Sequence, residues 1–338
     1  MKYTRIIATA YGGPEVLRLV EAELPEPQAE EARVTVLAAG VAFADVLFRR
    51  GLLRGIQALP FTPGVDIVGV VEKVGEGVTS VKVGDAVAAL TETGGYAQFI
   101  VLPASELVPI PPQLDSAEAV CLVLNYTTAS QLLHRVGRAA PGWRLLVHGA
   151  AGGVGTAALQ LGVLAGLEMY GTASPSKHPL VRELGATPID YKSQDFVERV
   201  KALTGTGVDL VLDPVGGTNF SRSYRTLRRG GRLIAYGLSS ALKNGKLSRL
   251  AIAFSLARFA ALKLLPNGKS AKWYSITTVK RRKPHWFRED MRTLCQLLAE
   301  RKLRPIIAER LPLSDAARAH RLLEDTAVSG KLVLLCSQ

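Results

Sequence analysis

The stretch from Arg144 to Gly155, R-L-L-V-H-G-A-A-G-G-V-G, decides how this chain folds. Leu145, Leu146 and Val147 form a short apolar run suited to a strand buried on both faces, and 157–165 continues as a good helix former with few polar groups. Between the two, after His148, no side chain is larger than valine. Gly149, Gly152, Gly153 and Gly155 let the backbone turn sharply, let a pyrophosphate approach the peptide N–H groups, and let the helix sit close on the strand. The helix N-terminus then offers unpaired N–H donors and the positive end of its dipole to an anion. Glycines alone mark a tight turn; set between a strand and a helix, this cluster reads as a dinucleotide site.

Downstream, strand-like and helix-like segments alternate: 168–172, 179–184, 187–189, 196–203, 208–213, 219–228 and 232–236. Such alternation calls for a parallel, doubly wound sheet with right-handed crossovers. Past an interruption at 242–270, the pattern predicts a strand over 272–279, a helix over 287–300, another over 314–324 and a strand over 331–335. Upstream, strands are expected at 5–9, 16–21 and 32–39, with a helix over 43–50 on which Asp45 and Arg49 stand four apart and form a surface ion pair. Short glycine-punctuated strands at 60–75, 83–90 and 94–102 have the grammar of a small, partly open β-barrel. A helical region, 116–136, leads into the glycine stretch.

A chain of 338 residues, 48% hydrophobic, reads as an α/β protein with room for two lobes. The first ten residues are too interrupted by charge for a signal peptide, and no uninterrupted apolar run of about eighteen residues exists, so a cytoplasmic location is expected. Cys121, Cys295 and Cys336 lack C-x-x-C spacing and the five histidines are scattered, so neither a disulfide framework nor a zinc site is expected. The net charge of +13 is concentrated: 242–288 holds twelve Lys and Arg and no acid. Few aromatics interleave with those charges, which argues against a nucleic-acid surface. The apolar run 247–265, broken by Arg249, Arg258 and Lys263, fits either a helix lying on an anionic membrane or a lid or subunit contact with its charges in water.

In order and spacing, A-A-G-V-A-F-A-D at 38–45, P-G-V-D at 63–66, V-G-D-A-V at 83–87, H-G-A-A-G-G-V-G at 148–155, G-T-A-S-P-S-K-H at 171–178 and D-P-V-G-G at 213–217 agree with one family. Over essentially its whole length the chain resembles the medium-chain dehydrogenase/reductase superfamily, in its zinc-free quinone oxidoreductase branch. The 171–178 segment, with Y-S-I-T at 274–277 and W-F-R-E-D at 286–290, resembles the vesicle-amine-transport-protein-1-like group.

The resemblance implies a GroES-like β-barrel lobe, 1–118 with 286–338, and a Rossmann lobe of doubly wound parallel sheet, 119–285, with the cofactor in the cleft between them. It implies hydride transfer from NADPH to a quinone or an α,β-unsaturated carbonyl. The cofactor residues carried over are Gly149, Ala150, Gly152, Gly153, Val154, Gly155, Thr172 and Ser174, with Lys177 and Tyr191 around the 2′-phosphate; 170–178 contains no acid to hold a free ribose hydroxyl pair. Ala42 and Val65 stand where zinc-using relatives place ligands, and Ala42 also replaces an asparagine common among quinone oxidoreductases. Phe43 and Leu47 would wall the substrate pocket, and Tyr126 or Thr128 could bind cofactor or donate a proton. A homodimer through the edge strand, expected at 232–236, is also implied, and an alternative reading keeps the nucleotide but makes lipid the main partner.

Overall fold

The computed structural model describes residues 2–52, 58–243 and 246–337; at 242, 243, 246, 247 and 249 only the backbone is described. Positions 244 and 245 of the basic segment lie outside the described residues. The chain divides into two compact units, 1–127 with 288–338, and 128–287.

The first unit opens with an antiparallel hairpin of β1 (Lys2–Ala8) and β2 (Leu17–Glu23). β3 (Glu31–Val41) is the spine of a seven-stranded sheet and is followed by α1 (Phe43–Arg49). β4 (Asp66–Val74), β5 (Ala86–Leu90), β6 (Phe99–Pro103) and β7 (Val108–Pro109) come next. α2 (Ser116–Cys121), a π-helical turn (Leu122–Tyr126), α3 (Thr127–Ser130) and a second π-helical stretch (Gln131–Gly137) form one uninterrupted run of helix that crosses into the second unit.

There β8 (Arg144–His148), α4 (Gly153–Leu164), β9 (Glu168–Ala173), α5 (His178–Glu183), β10 (Ala186–Asp190), α6 (Phe196–Thr204), β11 (Val208–Asp213), α7 (Thr218–Thr226) and β12 (Leu227–Ala235) alternate as the sequence pattern requires. A two-strand ribbon, β13 (Leu242–Lys243) and β14 (Lys246–Leu247), precedes α8 (Arg249–Lys263), β15 (Ser270–Trp273), α9 (Ile276–Arg282) and α10 (Pro284–Ala299). The tail returns to the first unit as β16 (Ile307–Pro312), α11 (Ala316–Glu324) and β17 (Lys331–Leu335).

The first unit's sheet runs β16-β17-β3-β4-β5-β7, with β6 also on β3. Ile6, Val34, Val36, Ile67, Val87 and Leu334 lie in its core. The second unit's sheet is parallel throughout, in the order β10-β9-β8-β11-β12-β15. Its strands are buried on both faces, so they read as continuous apolar runs such as Leu210–Val211–Leu212. The order reverses between β8 and β11, and the carboxyl ends of those strands are the switch point where open α/β sheets bind ligands.

Two expectations are corrected here. The strand expected over 272–279 ends at Trp273, and 276–282 is helix, because the Ser275 hydroxyl caps it by accepting from Thr278 N. The strand β12, expected as the sheet's edge at 232–236, pairs on both sides, with β11 and β15, so the edge is Ser270–Trp273.

Candidate functional site

β8 ends at His148 and the chain turns through Gly149, whose φ of +66° suits glycine. Two bonds hang the turn on Thr172 at the end of β9: Gly149 N donates to Thr172 Oγ1 (3.3 Å) and Ala150 N to Thr172 O (3.1 Å). Gly152 caps α4, and the first helical bond is Thr156 N to Gly152 O at 2.8 Å. The N–H groups of Gly153, Val154 and Gly155 therefore precede the helix's own ladder, as an anion site requires. A Cβ on Gly155 would stand 2.3 Å from Gly149 O, so glycine is needed for the helix to start this close to the loop.

Ser174 follows β9 and is half-buried, and Lys177 closes the next turn. Burial, and then the charge of Lys192, hold the Lys177 ammonium below its ordinary pKa. Lys192 went unnoticed in the sequence, although it directly follows Tyr191, which is 53% exposed beyond β10. Thr172, near the end of β9, faces the glycine loop. It is buried and its hydroxyl serves Gly149 N and His148 Nδ1, so it holds the loop.

Behind the loop lies a polar network that the sequence reading missed. His148 Nδ1 is 3.1 Å from Thr172 Oγ1, and its Nε2 is 3.0 Å from Ser223 Oγ on α7. Ser223 donates to Asp213 Oδ2 at 2.6 Å, and Asn219 Nδ2 reaches the same oxygen at 3.0 Å. Asp213 Oδ1 accepts from Val215 N (2.8 Å) and Gly216 N (3.2 Å). The available signal was D-P-V-G-G itself, an acid at a strand end followed by glycines.

In the first unit, Phe43 and Leu47 share the half-buried face of α1, while Asp45 and Arg49 on its other side are fully buried. The surface ion pair expected between those two does not form. Asp45 Oδ2 accepts from Ala42 N (2.9 Å) and Tyr96 OH (3.1 Å), and Oδ1 accepts from Gly64 N (2.9 Å). Arg49 Nη2 instead lies 2.8 Å from Glu324 Oε1. Burial pushes the Asp45 carboxyl up to about 7 against the pull of those N–H donors. Tyr96 OH is also 3.2 Å from His320 Nε2, and burial, with Arg49 nearby, drives that imidazole down to about 3. Asp45 thus ties the 40–45 turn to the Gly64 loop, the two segments in which the resemblance implies metal ligands for zinc-using members.

Two positions of those segments carry no metal-binding side chain. Ala42 and Val65 offer no donor atom, and Asp66 Oδ2 is taken by Lys331 Nζ at 2.7 Å. Among the described residues no group of three or more His, Cys, Asp or Glu side chains could hold a metal ion. Tyr126 and Thr128 are both buried, in the first and second unit respectively.

In the basic segment, α8 buries Ser255, Phe259 and Leu262 and leaves Leu250 (84%) and Phe254 (55%) exposed, with Leu264 (82%) just past its end. Lys263, Lys269, Lys272 and Trp273 line an open concavity beside the sheet edge. Lys280 and Lys283, expected just past a strand, belong to the helical end of α9, with Lys283 Nζ 4.0 Å from the Trp286 ring centre.

Residues 28–112 match the family model described as alcohol dehydrogenase GroES-like domain, and 184–334 match the one described as zinc-binding dehydrogenase. The chain is 33% identical to the rat synaptic vesicle membrane protein VAT-1 homolog, covering 98% of this chain and 83% of that protein. It is 32% identical to rat quinone oxidoreductase, covering 96% and 95%. The crystal structure of Escherichia coli quinone oxidoreductase complexed with NADPH superposes with a TM-score of 0.88 at 30% identity, over 98% of this chain and 99% of that one. Motifs, fold and relatives agree, and the chain belongs to the medium-chain dehydrogenase/reductase superfamily, in the branch of the quinone oxidoreductases and VAT-1 homologues.

Proposed function

We propose that this protein is an NADPH-dependent, zinc-independent oxidoreductase that reduces a quinone or an α,β-unsaturated carbonyl. The observation that carries the reading is the loop 149–155 at the β8/β11 switch point, with two neighbouring lysines, Lys177 and Lys192, past the ends of the next two strands. The residues suit the cofactor: a cradle with no room for a Cβ at Gly155, helix-start N–H groups for the pyrophosphate, and cations for a 2′-phosphate. Gly149, Ala150 and Gly152 shape that cradle, and Gly153, Val154 and Gly155 supply its donors. Lys177 and Tyr191, joined by Lys192, hold the 2′-phosphate, and Ser174 borders the ribose. When bound, the reduced nicotinamide supplies the hydride.

The half-buried Phe43 and Leu47 offer an apolar wall, which suits a hydrophobic acceptor. Tyr126 and Thr128 are the hydroxyls proposed to border the cofactor or pass a proton. With alanine at 42, the usual asparagine amide is missing, so the acceptor relies on shape and apolar contact more than on a hydrogen bond there. The test is NADPH consumption by the purified protein with a panel of quinones and enones, repeated with a chelator. Turnover that survives chelation supports the reading; turnover that is lost with EDTA and restored by zinc overturns the metal-free part, and no turnover with any acceptor overturns the enzymatic part.

A second reading is favoured by the exposed leucines and phenylalanine of α8 in a segment with no acidic residue: the protein docks on an anionic membrane through 242–288 while binding NADPH. Among the described residues no helix is long and apolar enough to cross a membrane, so the docking would be peripheral.

A further inference from the structure

The network behind the glycine loop has a direction. Asp213 receives four donors, Val215 N, Gly216 N, Asn219 Nδ2 and Ser223 Oγ, and as a carboxylate it can only accept. The Ser223 proton therefore points at Asp213, and Ser223 Oγ is left as the acceptor for His148 Nε2–H. A neutral imidazole protonated at Nε2 has a bare Nδ1, which accepts from the Thr172 hydroxyl. With its proton so placed, Thr172 Oγ1 turns a lone pair to Gly149 N–H. Reversing any one member would set two donors or two acceptors face to face in a buried site, where an unmade hydrogen bond is costly.

We propose that His148, as its neutral Nε2–H tautomer, is a positioning residue that sets the first turn of the dinucleotide loop, relaying the orientation imposed by Asp213 through Ser223 to Thr172 and Gly149. Because Asp213 also fastens the 214–216 turn, one carboxylate registers two loops at the carboxyl rim of the sheet, those after β8 and β11. His148, Thr172, Asp213 and Ser223 are all buried, so solvent does not compete for these bonds. Phe196 packs perpendicular to the imidazole at 4.7 Å; burial holds His148 below its ordinary pKa, the Asp213 charge opposes that shift, and Arg222, 4.4 Å above the Phe196 ring, adds to it. The consequence for cofactor affinity rests on the NADPH reading; the tautomer and the loop geometry do not.

The test is nitrogen NMR of the full-length protein with labelled histidine and glycine, together with NADPH binding. In the wild type, His148 should be neutral with its proton on Nε2 from mildly acidic to mildly alkaline pH. Thr172→Val and Ser223→Ala should each shift the Gly149 amide resonance and weaken NADPH binding about three- to tenfold, the scale of one neutral hydrogen bond. Combined, they should lose little more than either alone, and Thr172→Ser should restore the wild-type values. A His148 that is charged or protonated at Nδ1 overturns the proposal, as does a Ser223→Ala protein whose Gly149 amide is unmoved. Should a variant fail to fold, the wild-type tautomer decides. A wild type with the Nε2–H tautomer and the expected amide shifts, but no affinity for NADPH, refutes the cofactor reading and leaves the relay standing.

Discussion

Lys331 Nζ stands 2.7 Å from Asp66 Oδ2, with both side chains withdrawn from water and 265 residues apart in sequence. Lys331 opens β17 and Asp66 opens β4, the strands on either side of β3. They meet over Gly40, where a Cβ would lie 2.3 Å from Lys331 Cε and 2.4 Å from Asp66 Oδ2. A missing side chain on the central strand makes room for an ion pair between its neighbours. Burial raises the Asp66 carboxyl above its ordinary range and Lys331 opposes that shift. Lys331→Met should therefore strand a buried carboxylate and cost about 3–5 kcal/mol at neutral pH, whereas adding Asp66→Leu should recover most of the loss. Urea unfolding of the single and double variants checks this; a double variant as unstable as the single one would show that the pair's role is shape and not charge.

Asp45 gives a pH dependence with a definite sign. Its folded pKa, about 7, lies above the ordinary 3.8, so between those values the folded state holds a proton that the unfolded chain releases. This group's contribution is fully present below the unfolded value and is lost as pH rises through the folded one, at up to about 1.4 kcal/mol per pH unit. Asp45→Asn, which cannot titrate, should be less stable overall because one amide oxygen cannot replace both carboxylate oxygens. It should also lack this slope, so the stability gap between wild type and variant should narrow from pH 4 to pH 7. A constant gap across that window would refute the assignment.

Lys177→Ala should weaken NADPH binding by about ten- to a hundredfold, the worth of a charge-assisted contact of roughly 1.5–3 kcal/mol, and leave NADH nearly unchanged. Lys192→Ala should act in the same direction and more weakly, since its charge is felt at Lys177. Equal losses for both dinucleotides would remove these lysines from the 2′-phosphate site. Titration of both single variants by cofactor fluorescence is sufficient.

If α8 docks on lipid, wild-type protein should co-sediment with vesicles containing anionic lipid at low salt and be released as salt rises. Leu250→Ser with Phe254→Ser should abolish pelleting by removing exposed apolar surface, and changing Lys280, Arg281, Arg282 and Lys283 to Gln should reduce it. Protein that stays in the supernatant at low salt would end the membrane reading and leave this helix face for a lid or a subunit contact.

The sequence by itself determined the Rossmann unit, because R-L-L-V-H-G-A-A-G-G-V-G and the alternation after it are local: apolar runs make buried strands, and glycines make the turn and the helix start. It also showed that positions 42 and 65 carry no side-chain donor for a metal, since alanine and valine have none wherever they lie. Only the tertiary structure decided what surrounds each polar group. Spacing put Asp45 and Arg49 within reach of each other, but the fold brings Tyr96, Gly64 and Glu324 to them from distant segments, and those partners win because the site is dry. Likewise β12 became an inner strand only when a short, weakly patterned strand, Ser270–Trp273, arrived beyond a helix to cover it. Periodicity reports which face of an element is buried; it carries no information on which distant residue arrives there, and hydrogen bonds and ion pairs in a low-dielectric interior depend on that arrival.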